Sequence, residues 1–113
     1  MLLFSRVTLV GRMGQNPEFV PFNYPKEDSK YQGSWKFSLA TTKSVKKGEE
    51  YETETMWHSI TTLRSLKNIG KGSMVLVEGE FKYWQTEDNA KKGVTIVANT
   101  VRVLDGKSVD DQE

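Results

Sequence analysis

The fold of this chain is decided by residues 34–63, SWKFSLATTKSVKKGEEYETETMWHSITTL. In residues 34–42, large apolar side chains alternate with polar or small ones, which places Trp35, Phe37 and Leu39 on one side of the segment. Alternation with period two is the pattern of a β-strand that has one buried face. We therefore predict a strand here, and we assign Trp35 to the core or to a subunit interface.

The middle of this stretch has the charge pattern of a hairpin tip. Its first arm is basic and carries Lys43, Lys46 and Lys47, after which the chain reaches Gly48. The second arm is acidic, with glutamates at positions 49, 50, 52 and 54. Opposite charges on facing strands attract each other, and glycine is favoured in tight turns. The pattern predicts two paired strands joined near Gly48.

The segment that follows this turn, residues 55–63, is typical of a strand because it is rich in aromatic and β-branched residues. One predicted face carries Trp57, Ser59, Thr61 and Leu63, and the other carries Met56, His58, Ile60 and Thr62. A large aromatic side chain on an otherwise polar strand face is informative, because such side chains are usually buried. Trp57 is therefore a candidate functional residue.

We predict three more strands, over residues 5–13, 73–84 and 94–104, and Gly79 interrupts the second of them as a bulge or a bend would. The connecting segments are less regular. Two prolines make residues 19–33 a ragged edge strand or a long loop, residues 85–93 are a second hairpin loop, and residues 64–69 are the one plausible helix.

These elements place the chain in the all-β class. Their order and size predict a five-stranded OB-fold (oligonucleotide-binding) Greek-key barrel with one short helix between strands 3 and 4. Ubiquitin-like folds place their helix elsewhere, and an immunoglobulin-type sandwich needs more and shorter strands. We predict one domain over residues 1–104 and a short, acidic, flexible tail over residues 105–113.

Charge and composition exclude several classes of function. The 113 residues carry a net charge of +1, which argues against a binding mode driven by bulk charge. Residues 1–104 hold 15 basic and 11 acidic side chains, so this body is +4, and the tail, with 1 basic and 4 acidic, is −3. No apolar run reaches the roughly 18 residues of a membrane-spanning helix, so we expect a soluble protein with no membrane partner.

The sequence lacks the residues that catalysis or metal binding would require. The chain has one histidine, His58, and no cysteine. Its neighbour Ser59 points to the opposite strand face, which disfavours a catalytic relay between the two. One histidine without cysteine also leaves almost no ligands for zinc. We therefore predict a protein that is not an enzyme, binds no metal and uses no cofactor.

Binding to unpaired nucleic acid needs aromatic side chains for the bases and cations for the phosphates. Trp57 and Trp84 each stand on a polar strand face, although each also fits a place at one end of the barrel core. The cations near these strands, which we assign to the same site, are Arg12, Lys43, Lys46, Lys47, Arg64, Lys82, Lys91 and Lys92. Their concentration near the hairpins and the tryptophans favours a nucleic-acid groove over scattered solvated charges.

Four segments carry a resemblance to a known family. VTLVGRMGQNPE, FSLATTKS, ETETMWHSITTL and KGSMVLVEGEFKYW occur in that order along the chain. With their LVGRxGxxPE, TxWHxI and KGSxVxVEG patterns, they resemble the single-stranded DNA-binding proteins of bacteria and mitochondria. The resemblance covers residues 5–104 and implies an OB fold, a homotetramer, and single-stranded DNA held by stacking and phosphate contacts.

The resemblance also implies roles for particular residues. Trp57 corresponds to a stacking tryptophan of the family, and Trp84 lies two residues from the place of another, on the same strand face. Bacterial members often carry aromatic residues where this chain has Val45 and Leu63. We include Leu63 in the predicted site, together with Ser59, which lies on the same predicted strand face. His58 matches a histidine near subunit contacts, and we assign it to the oligomer interface together with Val7 and Leu9 of the first strand.

The chain departs from typical relatives in two places. One is a longer insertion over residues 22–33, which contains Tyr24 and Tyr31, and the other is the tail. The tail sequence VDDQE is acidic but lacks the apolar tip of bacterial members, which resembles the mitochondrial branch. We therefore predict sequence-independent binding and protection of single-stranded DNA in mitochondrial replication, recombination and repair, alongside replication proteins, with the bacterial cytoplasm as the alternative location. The alternative functions are an OB-fold protein-interaction subunit and an RNA-binding OB domain.

Overall fold

The structure of this protein, a computed structural model, describes residues 5–22 and 33–106. These residues form six β-strands and no helix, which confirms the all-β prediction. The strands are β1 (Val7–Met13), β2 (Glu18–Pro21), β3 (Gly33–Lys47), β4 (Glu50–Thr62), β5 (Met74–Gln85) and β6 (Lys92–Asp105).

Five of the strands close into a barrel. Their order around the ring is β1-β5-β6-β4-β3, and the ring closes where β3 pairs with the end of β1 at Arg12 and Met13. All neighbours are antiparallel except β4 and β6, which run parallel where Ile60 lies opposite Ile96. This arrangement is the predicted five-stranded Greek-key OB barrel.

The proline-containing segment before β3 forms a short edge strand. β2 lies antiparallel to the beginning of β3 and ends at Pro21. Proline has no N–H to donate to a strand ladder, so pairing stops there. Residues 23–32, which include both tyrosines of the insertion, and residues 107–113 of the tail lie outside the described residues.

The core includes Phe37 and Leu39, which the period-two alternation predicted on one side of the strand, together with apolar side chains from the other barrel strands and from the turn after β4. The buried cluster is Met13, Phe37, Leu39, Ile60, Leu66, Val75, Val77, Ile96 and Ala98. Trp35 is partly buried against this cluster, and its ring centroid lies 5.2 Å from that of Phe19 on β2. The assignment of Trp35 to an apolar contact surface is thus confirmed within the protomer.

The helix predicted over residues 64–69 is wrong. The chain makes turns there, and the φ angle of Asn68 is 68°, in the left-handed region that a right-handed helix cannot contain. Two helical turns also make too few hydrogen bonds to offset the cost of starting a helix. The apolar contacts expected of the helix exist without it, because Leu66 is buried and Ile69 packs against the core.

Both hairpins extend beyond the barrel. β3 and β4 are joined by the two residues Gly48 and Glu49, and Gly48 has a φ of 64°, as the first central residue of a type II′ turn does. This confirms the predicted tip. β5 and β6 are joined by residues 86–91, within the predicted loop.

The irregularity expected at Gly79 is present. The pairing of β5 with β6 shifts between Glu78 and Gly79, because Asn99 is an extra residue on β6. A Cβ atom on Gly79 would lie 2.1 Å from the carbonyl oxygen of Val97. Only glycine therefore allows the two strands to approach so closely at this bend of the barrel.

Candidate nucleic-acid interface

The two tryptophans predicted to bind bases both lie on the outer face of the barrel. We use this name for the sheet surface whose side chains point away from the core. Trp57 on β4 is 61% exposed, and Trp84 on β5 is 44% exposed. Ser59 follows Trp57 on this face and Lys82 precedes Trp84, because alternate residues of a strand share a face. Neither indole is sealed in the core.

Arg12 lies in the same cross-strand row as Trp57. Ala40 of β3 pairs with Arg12 of β1 on one side and with Trp57 of β4 on the other. Two strand spacings separate the outer residues of such a row, about 10 Å between their Cα atoms. The Arg12 guanidinium donates a hydrogen bond from Nη1 to the Gly72 carbonyl oxygen at 2.9 Å, which fixes the position of this cation.

Each exposed indole ring rests against a glycine. A Cβ atom on Gly14 would lie 2.4 Å from Cζ3 of Trp57, and a Cβ atom on Gly93 would lie 2.6 Å from Cζ2 of Trp84. Gly93 is also the direct cross-strand partner of Trp84. Because glycine has no Cβ atom, each indole ring lies close to the backbone of the neighbouring segment, and this contact restricts the orientations that the ring can adopt. Each ring is therefore held in position while a large part of it stays exposed.

Gly93→Ala is expected to displace the Trp84 ring without unfolding the barrel, since a side chain can move where a backbone cannot. We expect a shifted tryptophan emission maximum, an unchanged melting temperature and weaker binding to an oligothymidine. Gly106→Ala is the matched control, because its Cβ atom would meet only Val103, at 3.1 Å. A shifted emission with unchanged affinity would contradict a role for the ring position.

The tip of the second hairpin contains an open groove of about 610 Å³ lined by Tyr83, Trp84, Gln85, Lys92, Gly93 and Val94. Lys82 lies on the outer face with Trp84, whereas Lys92 lies opposite Gln85 on the other face, and Lys91 lies in the loop. Two carboxylates, Glu78 and Glu80, also lie on the outer face of β5. The cations of this hairpin are therefore spread around its tip rather than set in one row.

The loop at this tip is held by Asp88. Its Oδ1 accepts hydrogen bonds from the Thr86 hydroxyl at 2.5 Å and from the Ala90 N–H at 3.0 Å. These two hydrogen bonds, the one from Thr86 foremost, hold the pKa of Asp88 below its usual value. A lowered pKa in the folded state means that the loop is stabilised at neutral pH, and that this contribution is lost as the pH falls through the folded-state pKa.

Leu63 and Arg64 line a second groove, of about 500 Å³, together with Glu80, Val97, Ala98 and Asn99. The Arg64 N–H donates to the Thr62 hydroxyl at 3.2 Å, so the chain turns sharply after β4. Leu63 is 45% exposed at this turn. The structure thus brings Leu63 and Arg64 together at one end of the outer face.

The three lysines of the first hairpin do not share a face. Lys46 lies on the same face as Ala40 and Trp57, whereas Lys43 and Lys47 point to the opposite side. Lys43 is 3.8 Å from Glu54, and Lys47 is 3.1 Å from Glu52, so both are in ion pairs. Of these three lysines, only Lys46 therefore lies on the outer face, six residues along β3 from Ala40, the cross-strand partner of Trp57.

Two outer-face residues were missed by the sequence analysis. Tyr51 is 69% exposed, and Lys36 lies beside Thr61. Period-two alternation places Tyr51 on the same strand face as Trp57, six residues before it. The acidic arm of the hairpin was interpreted from its glutamates alone, so Tyr51 was not assigned to the site. Lys36 alternates with Trp35 and Phe37 and therefore lies on the outer face of β3, but no prediction connected it to the site.

The predicted interface residues are partly buried within the protomer. Val7 and Leu9 pack against the core, and the His58 Nε2 atom lies 2.8 Å from the Thr41 hydroxyl oxygen. That contact gives the imidazole a hydrogen-bond partner within the protomer. A role for these three residues in subunit contacts stays a prediction.

In residues 5–22 and 33–106, no three histidine, aspartate or glutamate side chains are grouped so that they hold a metal ion. The same residues contain no helix long and apolar enough to cross a membrane.

An OB barrel with two exposed indoles and several cations on its outer sheet has the architecture of an oligonucleotide-binding protein. The model of the single-strand binding protein family matches residues 4–104. The chain therefore belongs to the single-strand binding protein family. Among curated proteins, none matches the chain significantly.

Several solved structures share the architecture. The chain is similar to the Plasmodium falciparum SSB in its complex with ssDNA, with 25% identity and a TM-score of 0.71 over 93% of this chain and 98% of that one. The mitochondrial single-stranded DNA-binding protein of S. cerevisiae is 18% identical, with a TM-score of 0.66 over 94% and 99% of the two chains. The small single-stranded DNA-binding protein of Streptomyces coelicolor is 19% identical, with a TM-score of 0.66 over 90% of this chain and 95% of that one. The last two similarities show the fold.

Proposed function

We propose that this protein binds and protects single-stranded DNA without reading its sequence and without catalysing a reaction. The observation that carries the proposal is the exposure of Trp57 and Trp84 on one sheet surface that also presents Arg12, Lys46 and Lys82. Membership of the single-strand binding protein family supports it, as does the similarity to a structure solved with ssDNA.

The binding mechanism follows from the chemistry of this surface. Every base has a flat π-face, so stacking on an indole tolerates any sequence, and each stacked base contributes about 1 to 3 kcal/mol. Cations beside the rings neutralise phosphates and release the counterions held by the strand. Because each indole rests on a glycine, part of its surface is already occupied, and bases approach from the solvent side.

A binding assay separates this function from its alternatives. Labelled single-stranded DNA, single-stranded RNA and duplex DNA of equal length are titrated with the full chain on filters. We expect retention of the single-stranded DNA and little retention of the duplex, whose bases are already stacked. Failure to retain any nucleic acid would favour the protein-interaction alternative, and tighter binding of the RNA would favour the RNA-binding alternative.

The two neighbouring lysines of the first hairpin give a sharper test of the surface. Lys46→Gln removes a cation from the outer face and is expected to flatten the dependence of log affinity on log salt by about 0.7. Lys47→Gln is the matched control, because Lys47 points to the other side and is paired with Glu52. Equal slopes for both variants would show that the outer face of this hairpin is not in contact with phosphate.

We propose further that the protein is a homo-oligomer, with a tetramer expected from the family resemblance. β1 pairs with β5 along its length but with β3 only at Arg12 and Met13. Within the described part of the chain, no strand pairs with the other edge of residues 7–11. An open strand edge is a ready surface for pairing with another chain, and the exposed Val10 lies on the same strand.

For the cellular setting we propose mitochondrial DNA replication, recombination and repair, with replication proteins as further partners and the bacterial cytoplasm as the alternative location. The support is the motif resemblance together with the S. cerevisiae mitochondrial protein among the similar structures. The Streptomyces coelicolor protein shares the fold to the same TM-score, so the fold itself does not favour either location.

A further inference from the structure

The first hairpin segregates its charges between two faces. On its outer face the cross-strand pairs are Ala40 with Trp57, Thr42 with Thr55, Ser44 with Thr53, and Lys46 with Tyr51. The opposite face carries Lys43, Val45 and Lys47 against Glu50, Glu52 and Glu54. The outer face therefore has no carboxylate between Trp57 and the tip, because the three glutamates of β4 all lie on the opposite face.

An aromatic side chain and a cation stand together at the far end of this face. Tyr51 and Lys46 are direct cross-strand partners, and Cβ atoms in such pairs lie about 4.5 to 5.5 Å apart. Tyr51 is 69% exposed, so its ring does not fill a core position. Among the described residues, no carboxylate forms an ion pair with Lys46.

The surface between Trp57 and Tyr51 suits a nucleic-acid backbone. Six residue steps along β4 separate the two rings, a distance of about 20 Å at the usual rise of a strand. The intervening outer-face side chains are Thr42, Ser44, Thr53 and Thr55. Each has a hydroxyl group, and hydroxyl groups are common donors to phosphate oxygens.

We propose that Tyr51 and Lys46 form a nucleobase-stacking subsite at the end of a strand path that begins at Trp57. The phenol ring stacks a base, the ammonium group neutralises an adjacent phosphate, and the hydroxyl-bearing surface carries the backbone between the two rings. This inference rests on the proposed function and extends it to the tip of the first hairpin.

The test compares variants of the full chain binding to a fluorescent oligothymidine of about twenty nucleotides, by anisotropy. Tyr51→Ala is expected to weaken binding by about five-fold to more than one hundred-fold, the range for one stacked base. Tyr51→Phe keeps the ring and is expected to bind as the unmodified protein does. Phe22→Ala is the matched control, because Phe22 is an aromatic residue that is 41% exposed and lies outside the described site, and this variant is expected to bind as the unmodified protein does.

Oligonucleotide length provides an independent check. An oligothymidine of about three nucleotides spans only about 10 Å at duplex spacing, too short to reach from Trp57 to Tyr51. We therefore expect Trp57→Ala to weaken binding of both lengths, and Tyr51→Ala to weaken binding of the long one only. Equal losses for both lengths with Tyr51→Ala would overturn the path.

Failure of this inference is distinguishable from failure of the proposed function. If Trp57→Ala weakens binding and Tyr51→Ala does not, the subsite is wrong and the function stands. If the unmodified protein binds neither length, both are wrong. If Tyr51→Ala changes the mass measured by light scattering along with the affinity, Tyr51 is a subunit contact and the subsite is overturned.

Discussion

Replacement of both exposed tryptophans, Trp57→Ala with Trp84→Ala, is expected to weaken binding to an oligothymidine by about 2 to 6 kcal/mol, if each ring contributes about 1 to 3 kcal/mol independently. The two rings lie on different strands and rest on different glycines, Gly14 and Gly93, so their contributions should be close to additive. Each single variant should show about half of the loss. The measurement is a titration at fixed salt concentration, since affinity for nucleic acid depends steeply on salt.

The control for this prediction is the melting temperature of each variant, which shows whether the barrel is still folded. Both rings are substantially exposed, so their removal should leave the melting temperature within a few degrees of the unmodified value. A folded double variant with unchanged affinity would show that DNA does not contact these rings. A double variant that has lost both its fold and its affinity would show that the rings act as part of the core.

Leu39→Ala is expected to destabilise the protein by about 2 to 5 kcal/mol, the usual cost of a buried leucine with the cavity it leaves. Leu39 is fully buried and pairs with Met13 at the point where β3 meets β1. Loss of its side chain therefore weakens the core and the closure of the barrel together. Urea unfolding, monitored by circular dichroism, measures the change in the free energy of unfolding.

Leu104→Ala is the matched control for Leu39→Ala, because Leu104 is 50% exposed near the end of β6. We expect it to change the free energy of unfolding by much less than 1 kcal/mol, as surface substitutions generally do. Similar losses for the two variants would contradict the core assigned to the barrel. At urea concentrations below the midpoint of its unfolding, the Leu39→Ala variant should still bind DNA, because the side chain at position 39 is buried and out of reach of the bases.

The strand faces could be predicted because burial follows period two. Alternation in residues 34–63 separated Trp57 from Ile60, and the structure places one outside the barrel and the other at 0% exposure. The same alternation, counted back from Trp57, reaches Tyr51. The same alternation therefore predicts that the glutamates of the first hairpin lie on one face of the strand. The prediction missed this because it compared the charges of the two whole arms and not the charges on each face.

Other features depend on contacts between segments that lie far apart in the sequence. The contact of Trp57 with Gly14 joins β4 to the loop after β1, and no local pattern encodes it. The helix expected after β4 failed for a different reason, since the spacing of Leu66 and Ile69 satisfies burial whether or not the backbone is helical. Tertiary contacts hold both side chains while Asn68 takes a left-handed φ.

The most direct test of the central claim is tryptophan fluorescence during titration with an oligothymidine. In the unmodified protein we expect strong quenching, because bases stack on Trp57 and Trp84. In the double variant Trp57→Phe with Trp84→Phe, only the partly buried Trp35 remains, and its emission should change little even where the DNA is bound. Equal quenching in both proteins, or binding without quenching in the unmodified protein, would contradict the claim that unpaired bases rest on the outer-face indoles.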